Sequence, residues 1–276
     1  MGVCNVTPDS FSDGGLYFSP ESARARIDEL ISEGADIIDV GGESTRPGAD
    51  AVPAGEQIVR VLAAVRHAAG RGACVSVDTA SPEVAAAALE AGACAVNDVS
   101  CLRDPRLADV VAREGAALVL MHTRGTPSDM AGFSRYPDGG YRDLVEDVCA
   151  EWQEASARAL ERGVSPDAIV MDPGLGFAKN ARQSAELLKR LAEVVRLVAV
   201  PVAIGASRKS FLTAIDPSAA PRERLGASVA AAIHAARAGA AVLRVHDVRA
   251  TRQAIDLSNR LCEGAVGAKS PCGRGP

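Results

Sequence analysis

Residues 74–98 read CVSVDTASPEVAAAALEAGACAVND, and this stretch is the clearest indication of the fold. It begins with an apolar, β-branched run of the kind found in buried strands. Ser81, Pro82 and Glu83 then make a typical helix start, with serine as the N-cap and proline at the first helical position. An alanine-rich helical run follows and ends at Gly92, directly before a second apolar run. The stretch therefore predicts one strand–helix–strand unit with parallel strands.

The same alternation runs through the whole chain. Apolar residues repeat on one helical face at Ala23, Ile27, Leu30 and Ile31. The pattern returns at Ile58, Leu62 and Val65, and again at Leu187, Leu191 and Val194. Between the helical runs, eight short apolar runs predict strands that are buried on both faces. They span residues 1–6, 36–40, 74–77, 93–97, 117–121, 168–172, 200–205 and 241–245.

Eight strand–helix units predict an α/β fold, a single (β/α)8 TIM barrel over residues 1–263. An open doubly wound sheet is the alternative. That fold usually carries a G-x-G-x-x-G turn after its first strand, and here the first strand leads into Asn5-Val6-Thr7-Pro8-Asp9. Residues 264–276 are rich in Gly, Ala, Ser and Pro and predict a disordered tail.

Composition narrows the class of protein. The net charge of −5 argues against general nucleic-acid binding, which needs a basic surface. No secretion signal and no apolar run long enough for a membrane span is visible, so we expect a cytoplasmic protein without a membrane partner. The seven cysteines contain no C-x-x-C pair and predict neither a disulfide framework nor a zinc site. We expect most of them to be buried.

Polar side chains follow the predicted strands at the end where barrel enzymes carry their active sites. Asp78, Asn97 and Asp172 come after three strands and can accept hydrogen bonds, which suits a flat heterocycle with several N–H donors. Asn5, Arg46, Arg244 and His246 follow strands one, two and eight, which are neighbours in a closed barrel. They suit an anion, especially a phosphate. Lys209 follows strand seven and lies between the two groups.

Each residue alone also has a simpler explanation. Arg208 can be an ordinary solvated charge, and an aspartate after a strand is often a helix N-cap. Covalent catalysis is poorly supported, because Ser207 is not part of a G-x-S-x-G turn. Glycoside hydrolysis by Asp78 and Asp172 is disfavoured, because only 3% of the residues are aromatic and few could stack on a sugar.

Seven motifs together carry a resemblance to the dihydropteroate synthase family over residues 1–262. They are the runs 1–15, 39–48, 76–79, 97–100, 172–177, 207–211 and 244–248. The resemblance implies an enzyme of folate biosynthesis. It would condense 6-hydroxymethyl-7,8-dihydropterin diphosphate with 4-aminobenzoate to give 7,8-dihydropteroate and pyrophosphate. Cys101 departs from the pattern, since glycine is common at that position.

The resemblance also implies a role for each matching residue. The pterin would be held by Asp78, Asn97, Met121, Asp172 and Lys209. The diphosphate would be held by Asn5, Arg46, Arg244 and His246, with Asn5 also contacting a magnesium ion. Phe11, Thr45, Pro47, Phe177 and Ser207 would border the 4-aminobenzoate. The catalytic residues would be Asp78, Asp172, Lys209, Arg244 and His246.

The family further implies a homodimer, with small molecules as the other partners and Mg²⁺ as the cofactor. The two glycine-rich segments 7–18 and 42–52 would close over the substrates and exclude water. Two rival functions stay open at this point. One is a pterin-binding methyltransferase of the methyltetrahydrofolate type, and the other is a paralogue that binds pterin without turnover.

Overall fold

A computed structural model describes residues 1–7, 19–44, 52–125 and 136–263. The strands are β1 Gly2–Asn5, β2 Ile37–Gly41, β3 Cys74–Asp78, β4 Ala95–Asp98, β5 Ala117–Met121, β6 Ile169–Asp172, β7 Ala203–Ile204 and β8 Val242–Leu243. The α-helices in the described ranges are α1 Pro20–Ser32, α2 Ala54–Gly70, α3 Pro82–Glu90, α4 Arg106–Glu114, α5 Leu144–Glu161, α6 Ala181–Lys189, α7 Leu191–Val198, α8 Leu225–Arg237 and α9 Val248–Glu263.

The strands form a parallel barrel in sequence order. β1 to β6 make one sheet, and β7 pairs with β8. Single parallel bridges join the two parts at both seams, between Met171 and Val202 and between Gly2 and Val245. At the second seam, Val3 N donates to Val245 O and Val245 N donates to Met1 O, at 3.0 and 2.9 Å. The predicted (β/α)8 barrel is therefore confirmed, and the open sheet is excluded.

The unit quoted from residues 74–98 folds as its sequence predicts. Ser81 caps α3, since its side chain accepts a hydrogen bond from Val84 N at 3.3 Å, and Pro82 opens the helix. Gly92 follows the helix with a φ of +109°, a conformation that glycine adopts without strain. β3 and β4 then pair in parallel, with Asp78 beside Asn97. This register brings two predicted site residues to the same end of the barrel.

Three predictions about elements need correction. β7 and β8 are shorter than predicted, because the barrel closes at these strands through single bridges rather than continuous ladders. The buried face of α2 consists of Gln57, Val61, Ala64, Val65 and Ala68, so Ile58 and Leu62 lie at its edge. Leu187 lies on α6, whereas Leu191 and Val194 lie on α7, and Arg190 separates the two helices.

The barrel interior changes character along its axis. Its lower end, where the strands begin, is apolar and contains Met1, Val119 and Ala203. Asp39 and Ser76, paired across β2 and β3, are fully buried above this layer. Asp78 and Asn97 follow one step further up. The interior therefore becomes polar toward the carboxyl ends of the strands, and the larger apolar core contains residues from the strands and the surrounding helices.

The cysteines and the chain end complete the description. Of the six cysteines in the described residues, Cys4 and Cys149 are buried and Cys101 is half-buried. Cys74, Cys94 and Cys262 are exposed, so the prediction that most cysteines are buried is wrong. Within the described ranges, none of the helices has the length and apolar character that a bilayer crossing requires. The predicted tail 264–276 lies outside the described residues.

Candidate active site

A cavity of about 360 Å³ opens at the carboxyl ends of the strands. The structure brings together ten of the residues predicted from the sequence, all of which line this cavity. They are Asn5, Asp78, Asn97, Met121, Asp172, Phe177, Ser207, Lys209, Arg244 and His246. The other four, Phe11, Thr45, Pro47 and Arg46, lie outside the described residues. The placement agrees with a shared site, whereas the binding role of each residue stays a prediction.

Three buried polar residues, Asp39, Asp78 and Asn97, and the partly exposed Arg244 form what we call the cavity cluster. Arg244 donates to Asp39 Oδ2 at 2.7 Å and to Asp78 Oδ2 at 2.8 Å. Asn97 Nδ2 also donates to Asp39 Oδ2, at 3.2 Å. One arginine thus holds two carboxylates of neighbouring strands in fixed positions at the mouth of the barrel.

The second carboxylate oxygen of each aspartate is different. Asp39 Oδ1 and Asp78 Oδ1 are among four buried side-chain atoms in the described residues that have no hydrogen-bond partner. A buried acceptor without a partner is destabilising, so such atoms are rare outside functional sites. Burial raises the pKa of Asp78 to about 7, although Arg244 opposes the shift. Asp78 is therefore suited to accept hydrogen bonds from a ligand.

Asp172 and Lys209 form the next part of the wall. Asp172 Oδ1 accepts from Gly174 N at 2.7 Å. Burial lowers the pKa of Lys209 to about 8, with Asp172 acting in the opposite direction. Lys209 Nζ donates to Leu175 O at 2.5 Å and lies 4.7 Å from the centre of the Phe177 ring. Lys209 thus holds the loop after β6 from the cavity side.

The cavity wall near β8 is built around His246. Ser207 Oγ accepts from His246 N at 3.2 Å and lies 3.0 Å from His246 Nδ1. Arg208 pairs with Asp247 through two nitrogens, at 3.1 and 2.7 Å, and its side chain is only 12% exposed. The interpretation of Arg208 as a solvated charge is therefore wrong, because this ion pair holds it against the segment that carries His246.

A second ionic group, centred on the buried His122 and Lys179, lies behind the cavity wall. We call it the support cluster, and it consists of His122, Arg124, Tyr141, Glu151 and Lys179. Lys179 Nζ contacts His122 Nδ1 at 2.9 Å and Phe177 O at 3.0 Å, and Tyr141 donates to Ala178 O at 2.9 Å. Glu151 accepts from His122 Nε2 and from Arg124, the latter through two nitrogens. The cluster holds the loop after β6 from the side away from the cavity.

The pKa values in this cluster fix the proton positions. Burial, together with Lys179, lowers the pKa of His122 to about 4, so its imidazole is neutral at neutral pH. Burial also lowers the pKa of Lys179 to about 7. Lys179 carries N–H donors in either form and can donate to His122 Nδ1. The proton of His122 therefore lies on Nε2, where it is donated to Glu151.

The loop after β4 shows the effect of Cys101. This residue has a φ of +60°, and Leu102 follows with +54°, both in the region that glycine favours. Asp98 stabilises the turn by accepting from Ser100 N at 2.8 Å and Leu102 N at 2.6 Å. Since α4 begins at Arg106 with Pro105 as its N-cap, Asp98 is not a helix cap. The hydrogen bonds to the Asp98 carboxylate therefore stabilise a backbone turn for which glycine is the more favourable residue.

Sequence reasoning missed Asp39 and the support cluster. Asp39 had a usable signal, because a single carboxylate within the apolar run 37–40 is rarely buried without a partner. The importance of Gly174 beside the support cluster is visible only in the structure. A side chain at this position would meet His122 O at 2.0 Å, so the loops after β5 and β6 are in direct backbone contact. Nothing in the sequence alone pairs Lys179 with His122.

Comparison with known proteins agrees with this geometry. The family model described as "Pterin binding enzyme" matches residues 1–246. A dihydropteroate synthase of Mycobacterium leprae is 44% identical over 263 residues, which are 93% of this chain and 91% of that protein. A probable bifunctional folylpolyglutamate synthase/dihydropteroate synthase of Haloferax volcanii is 42% identical over 258 residues. The match covers 94% of this chain and 30% of that longer protein.

Solved structures give the same result. The dihydropteroate synthase of Xanthomonas albilineans with 4-aminobenzoic acid superposes with a TM-score of 0.86 at 40% identity, covering 96% of this chain and 93% of that one. The Thermus thermophilus enzyme in complex with 6HMPPP superposes with a TM-score of 0.79 at 40% identity, covering 95% and 93%. The chain belongs to the pterin-binding enzyme family and, within it, to the dihydropteroate synthases.

Proposed function

We propose that the cavity joins 6-hydroxymethyl-7,8-dihydropterin diphosphate to 4-aminobenzoate, with release of pyrophosphate. The observation that carries this proposal is the cavity cluster, in which Asp78 presents an unpartnered buried oxygen beside the partly exposed guanidinium of Arg244. The same opening thus offers acceptors for a heterocycle and donors for an anion. A pterin that bears a diphosphate needs both.

The pterin side of the cavity would use Asp78, Asn97 and Asp172. Ring N–H groups can donate to the two carboxylates, and Asn97 can supply either a donor or an acceptor. Met121, which is 2% exposed, offers an apolar surface beside the ring. Lys209 would lie against the ring through its methylene groups.

The diphosphate would lie on the side of Asn5, Arg244 and His246. Ser207 Oγ already accepts from His246 N, so its own hydroxyl proton can be donated to His246 Nδ1. With Ser207 as the donor, the imidazole proton would lie on Nε2, and His246 would donate it to a phosphate oxygen. Arg46 is the fourth predicted contact and lies outside the described residues.

The 4-aminobenzoate would lie along Phe177 and Ser207. The Phe177 ring is 8% exposed and forms an apolar part of the cavity wall. The predicted contacts Phe11, Thr45 and Pro47 belong to segments outside the described residues. Lys209 lies between the Phe177 ring and the pterin side, which would bring the amine close to the reacting carbon.

The chemistry follows from this placement. When the bond between the pterin methylene carbon and the diphosphate oxygen breaks, positive charge develops on the pterin. Asp78 and Asp172 are fixed before the reaction and would stabilise that charge. Arg244 and His246 would stabilise the departing pyrophosphate. The amine nitrogen then bonds to the carbon and loses a proton, so a covalent protein intermediate is not required.

Magnesium is the proposed cofactor. Asn5 lines the cavity with an amide side chain whose oxygen points over Gly41, and an amide oxygen is a suitable ligand for this hard cation. The described residues contain no group of three or more His, Cys, Asp or Glu that could hold a metal alone. This donor set fits an ion that takes most of its ligands from the diphosphate and water. Bound there, Mg²⁺ would neutralise diphosphate charge.

The proposal extends to a cytoplasmic location, which the sequence predicts, and to a homodimer, which the family resemblance implies. Large apolar side chains are exposed on the last helices, with Leu257 58% and Leu261 66% exposed on α9. Such side chains are a suitable surface for a second copy. Light scattering on the purified chain, at concentrations above and below 1 μM, would distinguish a dimer from a monomer.

The test is a pyrophosphate-release assay. Purified protein receives the dihydropterin diphosphate and Mg²⁺, with or without 4-aminobenzoate. We expect pyrophosphate release that depends on 4-aminobenzoate and matches dihydropteroate formation one to one. If folded protein binds the pterin but forms no product, the proposed function is wrong, and methyl transfer from methyltetrahydrofolate becomes the reaction to test.

A further inference from the structure

Two cysteines lie side by side at the end of the barrel opposite the cavity. Cys74 is the first residue of β3, and Cys94 directly precedes β4. Cys94 N donates to Val75 O at 2.8 Å, so the backbone at this point is part of the strand pairing. The two Sγ atoms are 2.7 Å apart, and both residues are exposed. No part of the proposed reaction uses them.

We propose that Cys74 and Cys94 are a modification site, a dithiol that closes to a reversible disulfide. A disulfide forms only where the backbone already holds both side chains at the right separation and direction. Here, the β3–β4 pairing holds the two backbones, and the sulfurs are closer than ordinary van der Waals contact. The bond can therefore close without rearrangement of the barrel.

The reaction balances with a low-molecular-weight disulfide as the oxidant. One protein thiolate attacks a sulfur of the oxidant, which forms a mixed disulfide and releases one small thiol. The second protein thiolate then attacks the protein sulfur of the mixed disulfide and releases the second small thiol. Overall, the protein loses two protons and two electrons, and the oxidant is reduced to two thiols.

The environment of the pair sets its rate and accessibility. Partial burial, together with the Cys94 thiol, raises the pKa of Cys74 to about 11. The thiolate is the reactive form, so the raised pKa slows attack by Cys74 at neutral pH. Exposure of both residues still gives a small oxidant access to either sulfur.

The bond would act on stability and not on the reaction. It would close a loop that contains α3 and connects two central strands, which restricts the unfolded chain. Asp78 and Asn97 lie further along the same two strands, but their register is already set by the ladder from Ser76 and Ala95 to Asp78 and Asn97. We therefore expect the disulfide to raise the unfolding temperature by roughly 5–10 °C. The turnover rate should change less than about twofold.

The experiment uses the full chain with oxidised glutathione as the probe. After overnight incubation, free thiols are alkylated and the protein is cleaved after glutamate without reduction. Glu83 and Glu90 lie between the two cysteines, so residues 74 and 94 fall in separate peptides that only a disulfide can join. We expect this linked pair by mass spectrometry, and its loss with dithiothreitol.

Matched variants complete the test. Cys74→Ser and Cys94→Ser should lose both the linked peptides and the oxidant-dependent rise in unfolding temperature. Cys262→Ser removes an exposed cysteine on α9 and should keep both. Alkylated Cys74 and Cys94 after oxidation, or glutathione retained on either residue, would overturn the proposal. Because the linked peptides are sought in the unmodified chain, the result stands even if a serine variant fails to fold.

Discussion

The cavity cluster and the support cluster are both ionic and largely shielded from solvent, but they differ in how completely their hydrogen bonds are made. In the cavity cluster, Asp39 and Asp78 each keep one oxygen without a partner. None of the support-cluster atoms is among the buried side-chain atoms that lack a partner in the described residues. The loop after β6 accepts hydrogen bonds from Lys209, which lines the cavity, at Leu175 O and from Lys179 of the support cluster at Phe177 O.

This difference separates a group prepared for a ligand from one that holds structure. An unpartnered buried acceptor destabilises the free protein, and a ligand with suitable donors removes that penalty on binding. A complete network gives a ligand nothing to satisfy, but it rigidifies the backbone around it. The predictions below test whether the two clusters divide function and support in this way.

The largest effect is expected for Asp78→Asn. Loss of the charge that stabilises the developing cation should lower kcat/KM by about 10²–10³-fold. Because burial raises the folded pKa of Asp78 from 3.8 to about 7, its ionisation destabilises the folded protein progressively between about pH 4 and pH 7, and by a constant amount above that range. The asparagine variant lacks this cost, so its unfolding temperature at pH 8 should not fall below that of the wild type. Kinetics and thermal unfolding are measured for this variant and for a control, Asp167→Asn, in which the changed side chain is exposed. If Asp78→Asn loses stability but keeps its rate, the cavity cluster supports the structure rather than the reaction.

The second effect is a loss of stability in acid that comes from His122. Its folded pKa of about 4 lies below the usual 6.5, so the unfolded chain takes up a proton in this range and the folded protein does not. Stability should therefore fall by about 3 kcal/mol as the pH drops from 6.5 to 4. The free energy of unfolding, measured with urea at each pH in this range, should depend less on pH for His122→Gln than for the wild type. For His67→Gln its pH dependence should be unchanged.

A smaller effect is expected for Lys179→Met, which removes the donor to Phe177 O. The loop after β6 should then hold the Phe177 ring less firmly, and KM for 4-aminobenzoate should rise about tenfold. Affinity for the pterin diphosphate should stay within about twofold, because its proposed contacts lie elsewhere. Exposed Lys189→Met is the control in steady-state assays. An equal loss of pterin affinity would show that the clusters are not separate.

The last prediction, similar in size to the one for Lys179→Met, concerns the pH dependence of pterin binding. Asp78 must be ionised to accept N–H donors through both oxygens, and its pKa is about 7. Affinity should therefore fall about tenfold between pH 8 and pH 6. Calorimetric titrations of wild type and Asp78→Asn would show whether this dependence belongs to Asp78, since the variant should bind weakly and lack the drop.

Much of the fold could be predicted because its signals are local. The N-cap at Ser81 and the positive φ at Gly92 agree with the sequence. Helix caps and turn glycines act over a few residues, so their effects can be recognised without tertiary contacts. The short length of β7 and β8 could not be predicted, because it depends on how these strands pair with β6 and with β1, which is distant in the sequence.

The candidate site divides in the same way. Asp78, Asn97 and Asp172 each follow a strand, and a barrel directs all strand ends to one face, so their convergence followed from position along the chain. Asp39 lies inside β2, and its importance comes from Arg244, a residue 205 positions away. Long side chains reach partners that no local pattern specifies.

The barrel, the face that carries the cavity and the chemical types of the residues on that face can all be predicted from the amino-acid sequence alone. This is possible because strand and helix periodicity and strand-end position are properties of short segments. Three features are visible only in the folded structure: the carboxylate oxygens that stay without partners, the ring nitrogen of His122 that carries its proton, and the contact between Cys74 and Cys94. These features depend on burial and on contacts between distant segments, and both exist only after the barrel closes.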